Sequence, residues 1–570
     1  MSTIKDPIML DSTGQTIAAA ILALGENSDQ KFDASYASRV TKSNIDDLFV
    51  EWWHCVDNGS LSRTELLSRW FNLLRSEKTF GVKTYEFNNS VTADGELTDD
   101  SIELGVCVPS TNTIKGTDNF CKEVAFWTVE VEYEIDELGE IVIMRVDHID
   151  DDYTRAGTHG MVGVAQKKAF VREYKDGTYK YLKYSTKQQY GFKPLPECVK
   201  PDGTLRAFMV HAKYGASLNS NGIPTSATGG APMNFDYSHN SEIAAWRKRG
   251  AKYSGGSACD LKFREYMFRL KYAKKGNSGV MEGCSNYNLQ YPVALGEENT
   301  NRVLLTPTQA SGFLIGSSVQ IGNYAGSTDR YNTGMRDITK NAKIVAIKNV
   351  TIGDVEYGAL YIEGLTFTTV ANGSGVTGTT YVSTTPYAAG FCDNVLGVDG
   401  SAYSNTSGKE PFIIQGLECQ MGAYAIAADM IVKRYYDSAT DKTYYQFWTC
   451  KDAAKISTSI TSDYVLEAQI DISDLTSANW YYIQDLAIAN VIAPEAVGGS
   501  AGSGNGCKAA TYLTVGKSDA LFEYLAWARL GVGDHCGLAC SRLGNGLSAT
   551  YWYIAALACG SGANRGEFTA

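Results

Sequence analysis

The chain contains no run of about 20 consecutive apolar residues, the length a helix needs to cross a bilayer, so the sequence offers no membrane-spanning helix. It also lacks an excess of positive charge: 51 Lys and Arg stand against 63 Asp and Glu, for a net charge of -12. A surface of that sign repels phosphate backbones and argues against nucleic acid as a main partner. The one basic run, Trp246-Arg247-Lys248-Arg249, reads as a solvated helix end. His-Glu-x-x-His, Walker and Gly-x-Ser-x-Gly motifs are absent, which removes the common zinc-protease, nucleotide-hydrolase and serine-hydrolase signatures. Gly373 to Gly378 matches Gly-x-Gly-x-x-Gly in form, but it lies between strands and opens no helix, so it is no dinucleotide motif. His54, His148, His159, His211, His239 and His535 are scattered without ligand spacing and read as structural or surface residues. The 13 cysteines form no Cys-x-x-Cys pair, and the closest two, Cys536 and Cys540, lack the second pair that a four-ligand zinc site needs. They read as small buried hydrophobes of a protein made in a reducing cytoplasm. Ahead of the apolar stretch Thr16 to Leu24 there is no basic segment, so a short amphipathic helix fits better than a signal peptide.

What is present points to strands. Proline is scarce (12) while Tyr (35) and Gly (56) are plentiful among many Ser and Thr, a composition that favours strands joined by tight turns. At 570 residues the chain should hold several domains, at roughly 150 residues each. Residues 1–80 read as helical: Ser43 caps a segment with Ile45, Leu48, Phe49 and Trp52 at helical spacing, and Ser62 caps a second with the stripe Leu66, Leu67, Trp70, Leu73 and Leu74. From there the period changes to two. AFWTVEVEYEIDELGEIVIMRVDHI is a hairpin about Asp136 to Gly139, and FVREYKDGTYKYLKY is another about Asp176-Gly177. The acidic cluster Asp147, Asp150, Asp151 and Asp152 lacks the spacing of a calcium loop and reads as an exposed loop, so a structural calcium has no motif behind it and no cofactor is implied. GTLRAFMVHAKYGASL is a strand. CDLKFREYMFRLKYAKKGN is a helix with Phe263, Met267 and Leu270 on one face and Gly276 as its stop. Short strands rich in Val, Ile, Thr and Gly then fill residues 300 to about 410, and Gly498 to Gly506 is a flexible loop by composition.

The closing segment holds the strongest signal. From Ala528 to Tyr551 there is no Lys, Glu, Gln, Met or Trp, although all five are used freely elsewhere. A frame of Trp527, Gly533, Gly537, Leu538, Trp552 and Ile554 alternates with residues of mixed chemistry: Arg529, Val532, Asp534, His535, Arg542, Asn545, Ala549, Tyr551 and Tyr553. Read as a strand, Tyr551 to Ile554 puts Trp552 and Ile554 toward a core and both tyrosines outward, where Tyr suits a binding patch; the alternative is that both are ordinary half-buried strand residues. Gly533 and Gly537 permit a tight loop that exposes Asp534 and His535. As an acid–base pair those two are poorly placed, since neighbours in a glycine-rich loop do not orient one another and no nucleophile motif accompanies them.

The order of elements from about residue 195 resembles the C-type-lectin-like fold, in the branch of formylglycine-generating enzymes and the variable proteins of diversity-generating retroelements. AFMVHAKYGASL is similar to its opening strand and FREYMFRLKYAKKG to its helix. GLECQMGAYAIAADMIV stands at its glycine-rich motif, without that motif's Trp and with Tyr424 nearby. The tail is similar to the family's Trp, Gly, Gly-x-x-x-Gly-Leu, Trp-x-Ile frame. In that family adenines of Asn codons are mutated, and the resulting codons cannot encode the five missing residue types. The resemblance implies an α+β, β-rich multidomain chain. Residues 1–80 would serve attachment or oligomerisation and 81–195 would form a β-rich domain. Residues 196–300 and 411–570 would form the lectin-like domain, 301–410 a small β domain inserted in it, and about 526–556 the variable region. It further implies a phage or prophage receptor-binding protein of the tail-fibre type, located in the virion and made in the bacterial cytoplasm. Its partners would be a host-surface protein or glycan, other tail proteins, and copies of itself in a trimer. Two alternatives stand beside it. One is a formylglycine-generating-type oxidase, for which Cys536, Cys540 and Cys559 are candidates by location. The other is a purely structural virion component with the variable positions buried between subunits.

Overall fold

The computed structural model describes residues 61–147, 149–326, 332–371, 378–498, 506–527 and 529–568. The helices expected at Thr16 to Leu24 and after Ser43, and His54, His148 and most of Gly373 to Gly378, lie outside the described residues. The described chain is β-rich, with four α-helices.

Helix α1 spans Arg63–Leu73. Ser62 caps it as its sequence predicts: the Ser62 side chain accepts from the Glu65 backbone N–H, and the Glu65 carboxylate accepts from that of Ser62 in return. Its buried stripe is Leu66, Leu67, Trp70 and Phe71, so Phe71 rather than Leu73 completes it. This helix packs on the hairpin of Thr128–Ile135 and Ile141–Val146, on strand Phe208–Ala212, and on residues around Cys559 in one core. The expected boundaries at 80 and 195 therefore do not separate cores, and strand Met161–Lys167 pairs with Phe208–Ala212 across the second of them. The second hairpin, Phe170–Lys175 with Tyr179–Ser185, forms as expected.

The acidic cluster is a salt-bridged turn rather than an open loop. Asp150, its side chain 4% exposed, pairs with Arg63 at 2.6 Å, and Asp152 pairs with Arg145 at 2.7 Å and faces His159 at 3.2 Å. The basic run after helix α2 (His239–Trp246) is likewise engaged: Arg249 pairs with Glu134, Arg247 donates to the Ile456 carbonyl at 2.7 Å, and Trp246 is fully buried.

Helix α3, Ala258–Tyr272, was expected to bury one face, yet all of its 15 residues are buried. Its long polar side chains allow this because they find charged partners inside. Arg269 reaches Glu173 at 2.9 Å, Lys271 bridges Asp118 at 2.8 Å and Asp399 at 3.1 Å, and Asp260 meets His211 at 2.9 Å. Ala273, in the left-handed conformation at φ +50°, ends the helix three residues before the expected stop. Gly276 serves a different purpose: a Cβ there would lie 1.8 Å from the Cys507 carbonyl oxygen.

Strands from Gln290–Pro292 to Thr379–Thr385 make a six-stranded sheet over its own core, with Val303, Phe313, Ile321, Ile344 and Val382 inside. This unit overlaps residues 301–410 but begins near 290 and ends near 385, and Tyr387 and Phe412 already belong to the main core. The main core carries a nine-stranded sheet. Its neighbouring strands run, in spatial order, Tyr464–Asp471, Lys442–Cys450, Tyr424–Asp437, Ala520–Trp527, Ser541–Leu543, Ala510–Leu513, Asn479–Leu486 and Pro494–Val497. Ile554–Ala555 adds to Tyr424–Asp437 in parallel. The closing segment thus threads through the middle of this sheet.

Candidate functional site: the C-terminal segment and its aromatic support

The segment is held by its backbone and its frame residues. Strand Ala520–Trp527 ends at Trp527, whose φ of +74° is a left-handed conformation that costs a non-glycine residue about 1–3 kcal/mol. Burial of the indole, 2% exposed, and a 2.9 Å bond from its backbone N–H to the Cys540 carbonyl hold it there. Beyond it, Leu530 N–H donates to the Gly422 carbonyl, and Gly531 and Gly533 both donate to that of Ser285 at 3.0 and 3.1 Å. Gly533 opens the short 3-10 turn Gly533–His535 at φ +63°, a conformation that favours glycine. Leu538 N–H donates to Asn277 Oδ1 at 2.7 Å, and the Trp552 carbonyl accepts from Asn234 Nδ2 at 2.9 Å. None of these bonds uses a side chain of the nine positions expected to vary, so replacing those side chains would not cut the loop loose.

The two classes of position separate by burial. Of the frame, Trp527, Gly537, Leu538, Trp552 and Ile554 are buried and Gly533 is half-buried. Of the changeable set, Asp534 and Tyr551 are exposed; Arg529, Val532, His535, Arg542 and Ala549 are half-buried; Asn545 and Tyr553 are buried. The outward orientation expected for Tyr553 is wrong. Residues 551–553 form a turn and the strand starts only at Ile554, so two-residue alternation does not apply. Tyr553, 4% exposed, stacks on Tyr551 at 5.1 Å and stands edge-on to Tyr424 at 5.8 Å. Asn545 is held inward: its carbonyl accepts from Glu523 N–H at 3.0 Å, and its Oδ1 accepts from Arg542 Nε at 3.1 Å. Behind it lies Glu523, fully buried, whose carboxyl is pushed up to about 8 by burial.

Three aromatic residues outside the segment pack against it. Trp480 lies opposite Tyr512 in antiparallel register, and Tyr512 lies beside Arg542 in parallel register, forming one cross-strand row. Trp480 stacks on His535 at 4.9 Å and meets Tyr512 edge-on at 5.5 Å; Arg542 lies over the Tyr512 ring at 4.6 Å. Tyr482 is 5.4 Å from His535 and donates its hydroxyl to Asp534 at 2.8 Å. Burial, and then this bond to Asp534, raise the Tyr482 phenol to about 12. Burial also lowers His535, against the opposing pull of Asp534, so the imidazole is neutral at pH 7. On the other side of the segment Arg529 lies over the Tyr553 ring at 4.8 Å. The alternation of Trp480, Tyr482 and Gln484 in NWYYIQDL is the signal by which the sequence could have revealed this support.

The thiols of the oxidase alternative lie inside the protein. Cys536, Cys540 and Cys559 are buried, and burial pushes all three thiols up, whereas a nucleophilic cysteine needs its thiol lowered. Among the described residues one group has metal-ligand spacing, Glu197, Cys259 and Asp260, with ligand atoms within 4.8 Å of one another. It sits at the start of α3, outside the changeable segment, and Asp260 is already engaged by Ser257 and His211.

Neither the family models nor the curated proteins compared with this chain include a match to it.

Proposed function

We propose that this protein is a receptor-binding protein of a phage or prophage tail, and that its C-type-lectin-like C-terminal part displays a diversified, ligand-binding surface. The observation that carries this reading is the division of residues 527–554: five of the six frame residues are buried and the frame is bonded through its backbone, while seven of the nine positions expected to vary reach solvent wholly or in part. Such a division lets side chains change at little cost to stability, since surface substitutions are usually worth within about 0.5 kcal/mol. Recognition then rests on a stiff surface. Arg529, His535 and Arg542 each lie against an aromatic ring, so little rotamer freedom remains to be lost on binding. Copies of the chain assembled in a tail tip would multiply weak contacts into avidity.

The test is adhesion of the purified full chain to host cells. Tyr551→Ala, at a position 38% exposed, is expected to weaken adhesion at least ~10-fold while shifting thermal unfolding little. Unchanged adhesion by Tyr551→Ala and by a second variant, His535→Ala, would refute the reading. The genome offers an independent check. A near-copy of the last coding stretch beside a reverse-transcriptase gene, with adenines at the codons of the changeable positions, is expected.

A further inference from the structure

Away from the closing segment, one buried cluster holds a carboxyl group that no hydrogen bond accounts for. Glu197, on the 3-10 turn Pro196–Cys198, and Cys259 and Asp260, at the start of α3, each offer a ligand atom, and these atoms lie within 4.8 Å of one another. All three residues are buried. A tetrahedral zinc ion, with bonds of about 2.0–2.3 Å, holds its ligand atoms roughly 3.3–3.8 Å apart, so atoms spaced like these grip an ion after a small inward shift.

Glu197 is 0% exposed, and neither of its carboxyl oxygens has a hydrogen-bond partner among the described residues. A polar group left so in the interior is costly, and a cation where it meets the thiol and the second carboxylate removes that cost. The guanidinium of Arg565 is committed elsewhere, to Asp429 at 2.8 Å and to the Gly562 carbonyl. Asp260 is oriented as metal-bound carboxylates are: its Oδ1 faces His211 Nδ1 at 2.9 Å and its Oδ2 accepts from Ser257 Oγ at 2.8 Å. A carboxylate has lone pairs to spare beside such bonds. The turn Ser561–Ala563 lies against the same atoms. A Cβ on its Gly562 would lie 2.6 Å from Cys259 Sγ and 3.1 Å from Asp260 Oδ1, so the glycine leaves open a space that any other residue would fill.

We infer that Glu197, Cys259 and Asp260 bind one divalent transition-metal ion, with zinc favoured by the donor set. A thiolate beside two carboxylates suits Zn2+ and disfavours Ca2+ and Mg2+, which take oxygen ligands. Three protein ligands leave a fourth position for water. On binding, the Cys259 S–H bond breaks, its proton passes to solvent and a sulfur–zinc bond forms; the metal stays divalent and no electron moves. The ion ties the turn at Glu197 to the start of α3, two elements distant in sequence. The site does not depend on the receptor-binding reading, and its test makes no use of adhesion.

The experiment takes the full chain, thiols reduced and metals stripped with a chelator, and supplies Zn2+ either to the folded protein or during refolding from urea, so that a closed site can still fill. Metal content after gel filtration is expected to reach one zinc per chain, and zinc should raise the midpoint of thermal unfolding. Co2+ in its place should give the near-ultraviolet absorption of a cobalt–thiolate bond. That band should persist in Cys284→Ala, which removes a buried thiol outside the group, and vanish in Cys259→Ala. Glu197→Gln and Cys259→Ala should each weaken zinc binding at least ~10-fold, the cost of losing even an outer partner of a metal. No zinc retained by either route, or a cobalt spectrum without the thiolate band, would overturn the inference. So would wild-type zinc affinity in Glu197→Gln, which keeps size and shape and decides the matter even if Cys259→Ala fails to fold.

Discussion

Replacing Glu523 by Gln is expected to flatten the dependence of stability on pH. Glu523 lies on the strand that leads into the closing segment, is fully buried, and its carboxylate accepts from His239 N–H at 3.1 Å. Burial raises its pKa from an ordinary 4.5 to about 8, with the nearby Arg542 pulling the other way. The neighbouring buried Glu242, also raised by burial, adds repulsion between the two carboxyls. A carboxyl raised on folding stays protonated in the folded state while the unfolded chain ionises. Its contribution is therefore fully present below about pH 4.5 and is lost progressively as pH rises to about 8. At ~1.4 kcal/mol for each pH unit between those limits, the wild type should lose about 5 kcal/mol from this one group across the range. Gln has nearly the same shape and does not ionise. The variant should thus match the wild type within about 1 kcal/mol at pH 5 and exceed it by roughly 3–5 kcal/mol at pH 9. Urea unfolding at pH 5, 7 and 9, followed by tryptophan fluorescence, measures this. A difference between the two proteins that stays constant with pH would show that Glu523 is not held protonated, and would refute the reasoning.

Glu173 should behave in the opposite sense. Burial would raise it, but Lys262, Arg269 and Lys180 outweigh burial and hold it near 2, so its contribution is present above about pH 4.5 and is lost as pH falls toward 2. Glu173→Gln should cost about 3 kcal/mol at neutral pH by removing the nearer of the two carboxylates that pair with Arg269, with the gap to wild type closing between pH 4 and 2 in acid-unfolding curves. Gly276→Ala should cost about 1–3 kcal/mol in thermal unfolding, because the added Cβ would lie 1.8 Å from a backbone oxygen that cannot yield as a side chain would.

Local structure was legible wherever a residue's role depends on its near neighbours. Ser62 and Glu65 announce a helix start because the bonds they make span three residues. The hairpins at Asp136 and Asp176 follow from turn residues between alternating strands. Roles set by distant partners were not legible. A helix carrying Lys262, Arg264, Glu265, Arg269 and Lys271 reads as half-exposed until Glu173, Asp118 and Asp399 arrive from elsewhere in the chain to pair with it. The acidic cluster at 150 reads as a solvated loop until Arg63, from the first described helix, meets it. Boundaries at 80 and 195 fail for the same reason: a change of periodicity marks where elements change, and only packing decides which elements share a core.

The closing segment divides along that line. Its Trp, Gly, Leu and Ile frame, the residues of mixed chemistry between, and the five residue types missing from it are read from the sequence alone, because they follow from which residue stands where. Which free positions face outward was decided by tertiary structure. Tyr553 turns inward because the strand begins only at Ile554, three residues later than alternation from Tyr551 assumes. Trp480, Tyr482 and Tyr512, 30 to 55 residues away in sequence from the side chains they support, are brought under them only by the pairing of three strands. Strand register acts across the sheet, at a distance no local pattern records.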